Sequence, residues 1–516
     1  MNPQTKPLMY QPIFNPSICR ILFATCLSAL CLIALSTQAA TITVTNTNDS
    51  GAGSLRQAIA NANHGDRIQF GITGTMILTT GELLVDKSVT ISGPGAASLT
   101  VDGNGTGRVF HVSSGVTAAI AGLTITNGVD WTEAPLTNAG GGIYNDHATL
   151  ALDNCTVSGN WAGWGSGIYN DHATLALDSC TVSGNTASWG GGGINNHSGT
   201  LTITNSTFSE NWAAAPHSVG DGGAILNDAY DGNGTLTVTN STFSGNRTYH
   251  LGGGIYNDGG ATLAVNNSTF TGNWGDIYNA GSITIGSTIL NSGYENLLNY
   301  GTVTSLGYNL SSYDAGGLLT AIGDRINADP MLGPLQDNGG PTFTHAPLTG
   351  SPAIDAGKNF TAVTSDQRGS GFVRTFDDSS IANANGGDGT DIGAFEVQGP
   401  PSQYAASIQQ PINANGTSVF NARRGVVPVK FTLTLGGAAT CNLPPATIAV
   451  TRTAGGVIGP IDESEYNGSA DNGSNFRIGN CQYAYNLSTG ALGAGTYRVD
   501  AIINGQVLGS ATFGLR

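Results

Sequence analysis

Residues 141–153 read Gly-Gly-Ile-Tyr-Asn-Asp-His-Ala-Thr-Leu-Ala-Leu-Asp, and the same string returns almost unchanged 25 positions later, over residues 166–178. Looser copies place their isoleucine at Ile194, Ile225, Ile255 and Ile277, which makes the spacings from Ile143 onward 25, 26, 31, 30 and 22. Every copy has a glycine cluster, then the isoleucine, then an asparagine two positions on: Asn145, Asn170, Asn196, Asn227, Asn257 and Asn279. A second turn ends at Asn160, Asn185, Asn211, Asn246 and Asn273. A unit this small cannot bury its own apolar face, so it must stack on its neighbours. Within each unit apolar and polar residues alternate, as in Thr200–Leu201–Thr202–Ile203, which is strand periodicity. Asparagine suits turns because its amide bonds nearby backbone and it tolerates left-handed geometry. Stacked in register, the same amides form ladders. The unequal spacings send insertions into loops, as between His217 and Gly222. The pattern predicts one coil of a right-handed parallel β-helix per repeat, with coils ~4.8 Å apart.

Shorter alternating runs at 68–70, 76–78, 89–91, 99–101, 109–112 and 120–125 extend the same architecture towards the N-terminus. Residues 40–320 thus predict roughly ten coils and a rod on the order of 50 Å long. Its open end needs a cap. Ser54–Leu55–Arg56–Gln57 is a capping-box pattern, and Leu55, Ala58, Ile59 and Ala62 share one helical face. A short helix over 54–63 is expected to close that end.

Gly222–Gly223–Ala224–Ile225 resembles the glycine motif of the bacterial polymorphic outer-membrane protein repeat. Phe208–Ser209–Glu210–Asn211, Phe243–Ser244–Gly245–Asn246 and Phe270–Thr271–Gly272–Asn273 resemble its partner motif, Phe-x-x-Asn. Ser54–Leu55–Arg56–Gln57–Ala58–Ile59 is similar to a Cys-Ser-Leu-Arg-Glu-Ala segment that opens many exported bacterial β-helix proteins, with Gly53 for the cysteine and Gln57 for the glutamate. These resemblances imply the same fold and an exported protein.

Residues 321–399 lose the repeat. Asp337–Asn338–Gly339–Gly340–Pro341–Thr342, Gly350–Ser351–Pro352–Ala353–Ile354–Asp355–Ala356–Gly357, Asp366–Gln367–Arg368–Gly369 and Asp391–Ile392–Gly393–Ala394–Phe395–Glu396 follow in order. The set resembles the choice-of-anchor Q region of bacterial surface proteins, which implies a C-terminal extension of the β-helix. Gly399–Pro400–Pro401 then reads as a linker to a domain over 400–516. Its long alternating runs, 426–434 and 497–502, predict an immunoglobulin-like antiparallel sandwich. Pro428–Val429–Lys430–Phe431 resembles a bacterial Pro-x-Lys-Phe accessory domain.

Residues 1–39 carry only Lys6 and Arg20 as charges, an uncharged apolar stretch over 21–35, and small residues Thr37, Ala39 and Ala40. That pattern predicts a secretory signal peptide and a secreted or cell-surface protein. No later segment is apolar enough over ~20 residues to predict a transmembrane helix. With export come oxidising conditions, under which Cys441 and Cys481 are expected to pair. Cys155 and Cys180 align with Ser206, Ser241 and Ser268 and read as small residues on the coil wall.

With 18 Lys+Arg against 34 Asp+Glu the formal charge is −16, which excludes phosphate-neutralising nucleic-acid binding. A monomer that binds or adheres to carbohydrate is the expectation, and a polysaccharide lyase or hydrolase is the alternative. The repeats hold few basic residues and no pectin-hydrolase signature, so no catalytic residue is assigned. Trp161, Trp212 and Trp274 each follow a second-ladder asparagine and should lie on one side of the rod. With Trp164 and Trp189 they could stack on sugar faces, or else cover glycine-rich corners. Asp146, Asp171, Asp228 and Asp258 each follow a first-ladder asparagine. Stacked carboxylates repel, and Ca²⁺ is the cation their oxygens would take; plain turn chemistry is the alternative.

Overall fold

The structure is a computed structural model, described over residues 39–130, 138–214, 221–293, 295–398 and most of 404–516. Within the last stretch, 414–415, 422–424, 436–437, 442, 455–468, 472, 491 and 504–505 are outside the description. The expected signal peptide (but for Ala39), Trp131 and the Gly399–Pro400–Pro401 linker therefore lie outside the described residues.

Among the described residues three parallel sheets wrap the rod: sheet I with 11 strands, sheet II with 10 and sheet III with 9. One coil shows the logic. Ile143–Asp146 lies in sheet III, Thr149–Asp153 in sheet I and Thr156–Ser158 in sheet II. Trp161–Trp164 then joins a fourth, 4-stranded strip before the chain re-enters sheet III at Ile168–Asp171. The architecture is the predicted right-handed parallel β-helix, and the 11 strands of sheet I stand close to the predicted coil number.

Burial follows the alternation: Thr149–Asp153 runs exposed, buried, exposed, buried, exposed. Leu150, Leu175, Leu201, Leu236 and Leu263 stack in register as one buried column of sheet I. The phenylalanine of each Phe-x-x-Asn motif points into the core, where Phe208, Phe243 and Phe270 stack at 4.9 and 4.5 Å. Corners between sheets turn on left-handed residues. His147, His172 and Ser198 all have φ +48° where sheet III passes to sheet I. Histidine, asparagine and serine occupy such corners because their short or polar side chains bear positive φ better than β-branched ones.

Both asparagine ladders form inside the coil. Asn145, Asn170, Asn196, Asn227, Asn257 and Asn279 align rung upon rung, each donating Nδ2 to the Oδ1 of the next at 2.7–2.8 Å. Asn299 adds a seventh member at 2.6 Å. In the second ladder each amide also donates to a strand carbonyl of the preceding coil, as Asn185 does to Val157 at 3.0 Å. A third ladder runs beside them. The backbone N–H of Cys180 donates to Ser206 Oγ, that of Ser206 to Ser241 Oγ, and that of Ser241 to Ser268 Oγ.

The capping helix spans Leu55–Asn61 and buries Leu55, Ala58 and Ile59. Only half of the capping box exists: Ser54 accepts from the Gln57 backbone, while the Gln57 side chain donates to Asn61 Oδ1 at 2.8 Å instead of returning to Ser54. The Ser54 N–H that the box would use donates to the Gly51 carbonyl at 3.2 Å.

Residues 321–398, expected as an extension of the helix, carry few strand pairings and run back along its flank. Gln367 Nε2 donates to Thr207 Oγ1 at 2.8 Å and its Oε1 accepts from Thr242 Oγ1 at 2.6 Å. The Ala394 N–H donates to Thr269 Oγ1 at 3.0 Å. Thr207, Thr242 and Thr269 are consequently buried, whereas Thr156 and Thr181 in the same column stay half-buried. The Asp-Gln-Arg-Gly and Asp-Ile-Gly-Ala-Phe-Glu motifs form one buried charge network. Arg368 pairs with Asp366 at 2.6 Å and lies between the rings of Phe372 and Phe395. Arg374 pairs with Glu396 at 2.7 Å and donates to the Gly393 and Asp391 carbonyls.

The C-terminal residues form a β-sandwich of a 5-stranded and a 4-stranded sheet around Phe431, Tyr483, Tyr497 and Phe513. Cys441 and Cys481 are disulfide-bonded. Burial pushes the Tyr483 phenol up to about 12.

Candidate functional site

The outer face of sheet III carries a dense set of titratable side chains. Strand alternation turns the ladder asparagines inward, so the residues on either side of each point outward. One outward column is His111, Tyr144, Tyr169, Asn195, Leu226, Tyr256 and Tyr278. The next holds Asp146, Asp171, His197 and Asp228. Asp258 follows Asn257 at the same step, its N–H donating to the Asn227 carbonyl at 2.9 Å.

The four aspartates predicted as a Ca²⁺ stripe thus share a column, but His197 stands between Asp171 and Asp228. Three of them face imidazoles. Asp146 Oδ1 lies 2.6 Å from His147 Nδ1, Asp171 Oδ1 lies 2.7 Å from His172 Nδ1, and Asp228 Oδ2 lies 2.8 Å from His197 Nδ1. Tyr144 donates to Asp171 Oδ2 at 2.6 Å, and burial together with that bond raises its phenol well above the ordinary tyrosine range. Hydrogen bonding to Asp228 raises the His197 imidazole above its usual value.

At the N-terminal side of this face Arg108 reaches Glu82 at 2.6 Å and Asp130 at 2.5 Å, and its guanidinium sits 5.0 Å from the Tyr144 ring centre. Burial acts to raise the Glu82 carboxyl, but bonds from His111 and Arg108 prevail and hold it below its usual value. Further along, His250 Nδ1 meets Asp221 Oδ1 at 2.6 Å.

The tryptophans lie on the adjoining strip. Trp161, Thr186, Trp212 and Arg247 are in register, and the Trp274 N–H continues the column by donating to the Asn246 carbonyl at 2.9 Å. The indoles therefore recur on every second coil, at intervals of ~10 Å. Trp161 is 45% exposed, Trp212 36% and Trp274 47%. Trp164 and Trp189 are half-buried and pack on each other with ring centres 5.7 Å apart. Gly190 makes room for Trp164 at the corner with sheet III, since a Cβ there would come within 3.0 Å of Trp164 and 2.9 Å of Leu226.

Residues 72–292 match the family described as right handed beta helix region. No curated protein matches the chain. The matched segment contains the candidate residues of the sheet III face and of the strip. No helix among the described residues is long and apolar enough to cross a membrane.

Sequence reasoning placed Trp161, Trp212 and Trp274, and the four aspartates, on their columns. It did not find Glu82, Arg108, His111, Tyr144, Tyr169, His197 or Asp231. His197 was readable as the residue after Asn196. Asp231 was not, because it comes from an insertion between Asp228 and Gly234.

Proposed function

We propose that this is an exported, cell-surface or secreted protein of bacterial type whose β-helix binds or adheres to carbohydrate. The observation that carries the reading is the row of exposed Trp161, Trp212 and Trp274 at two-coil intervals. Flat aromatic faces stack on sugar rings, and a regular interval along stacked coils suits an extended polymer better than a compact ligand. The neighbouring face adds carboxylates, phenols and imidazoles that can bond sugar hydroxyls. Retention of the purified chain on immobilised polysaccharides tests the reading. Replacing the three tryptophans by alanine should abolish retention and leave the melting temperature within a few degrees; loss of folding with no ligand for the native chain would favour a packing role.

A polysaccharide lyase or hydrolase on the same helix is the second reading, favoured by the density of acid–base groups on sheet III. The geometry weakens it. Arg108 is already engaged by Glu82 and Asp130, so it is poorly placed to neutralise a sugar acid, and Tyr144 is held as a donor to Asp171. Release of unsaturated or reducing ends from a polysaccharide panel would establish catalysis.

A further inference from the structure

His172 and His197 come from successive coils, and each has a carboxylate oxygen on both ring nitrogens. His172 Nδ1 lies 2.7 Å from Asp171 Oδ1 and its Nε2 3.0 Å from Asp231 Oδ1. His197 Nδ1 lies 2.8 Å from Asp228 Oδ2 and its Nε2 3.5 Å from the same Asp231 oxygen. The two rings are 5.1 Å apart, edge to face. A neutral imidazole carries one N–H. If the Nδ1–H groups go to Asp171 and Asp228, both Nε2 lone pairs converge on the anionic oxygen of Asp231. Both Nε2 atoms thus face one carboxylate oxygen from successive coils, a geometry in which two imidazole nitrogens and a carboxylate can share one cation.

We propose that His172 Nε2, His197 Nε2 and the Asp231 carboxylate form a site for a divalent transition cation of the Zn²⁺ class. Three features carry it. Asp171 and Asp228 orient the rings through Nδ1, the way outer carboxylates orient metal-binding histidines and fix their tautomer. His172 Nε2 and His197 Nε2 approach the same Asp231 oxygen, at 3.0 and 3.5 Å. Asp231 is half exposed on its insertion loop, where Ser198 Oγ donates to it at 2.9 Å, so it can shift to admit an ion. Two imidazole nitrogens select Zn²⁺, Co²⁺ or Ni²⁺ over Ca²⁺, which takes oxygen ligands. Three protein ligands leave one position of a tetrahedral ion open to water or a further ligand. The site would tie the insertion loop to the coil, and it stands whether or not the tryptophan row binds sugar.

The test is calorimetric titration of the chelator-treated full chain with Zn²⁺ and, separately, Ca²⁺. One Zn²⁺ should bind per chain, and Asp231→Asn and the double variant His172→Gln/His197→Gln should each weaken binding by more than ~10-fold. His250→Gln, on the separate Asp221 pair, should bind as the native chain does. Co²⁺ bound to the native chain should show tetrahedral d–d absorption that the double variant lacks. Failure of the native chain to bind Zn²⁺, preference for Ca²⁺, or unchanged binding in a double variant of unchanged melting temperature would overturn the proposal. Should the double variant not fold, Asp231→Asn on its exposed loop decides.

Discussion

Asn170 Nδ2 donates to Asn196 Oδ1 at 2.7 Å, and Asn196 passes the same bond to Asn227 at 2.8 Å. Both side chains are fully buried, so each amide depends on the coil above and the coil below. The asparagines serve as register pins: a coil slipped by one residue would turn its asparagine to the outer face and leave the amides above and below without their partner.

Asn196→Ala should therefore destabilise the rod by about 1–3 kcal/mol for each amide group left unpaired. Asn299→Ala, at the half-buried end of the same ladder, should cost less because water can replace the lost bond. Denaturant unfolding of the two variants checks the order; equal losses would show that the ladder does not act through burial.

Asp276 is fully buried beside the end of the second ladder, where Asn273 donates to it at 2.9 Å, and burial pushes its carboxyl up to about 7. A carboxyl raised in the folded state contributes stability that is complete below its unfolded value and is lost as pH rises through the folded one. The melting temperature of Asp276→Asn relative to the native chain should accordingly rise between about pH 4 and about pH 8. A pH-independent difference would show that Asp276 does not titrate in that window.

Arg374 is buried against Glu396 at 2.7 Å. Arg374→Met should leave that carboxylate unpaired and destabilise the flanking segment by roughly 3–5 kcal/mol. Protease cleavage within 321–398 should appear in the variant before cleavage within the coils; simultaneous cleavage of both would mean that flank and rod unfold as one unit.

Cys155 and Cys180 are buried thiols in a ladder whose remaining members are serines. Cys180→Ser should fold with a stability change below about 1.5 kcal/mol, since the hydroxyl can take over a bond that serine makes in the next three coils. Thiol reagents should label neither cysteine without denaturant. Breaking Cys441–Cys481 should be larger, about 2–4 kcal/mol for the sandwich.

The repeat alone determined the coil, the asparagine ladders and the column that Trp161, Trp212 and Trp274 occupy, because side-chain direction in a strand alternates with period two and stacking multiplies every position into a row. The Cys441–Cys481 pairing was legible for a simpler reason: the C-terminal region holds only those two cysteines. Only the tertiary structure decided that residues 321–398 turn back along the flank, since Gln367 meets Thr207 across 160 positions of sequence. The same is true of the meeting of His172 and His197 with Asp231, 59 residues beyond His172. Local periodicity specifies the rung, whereas an insertion loop obeys no period. Where its carboxylate lands is set by the coils that it packs against.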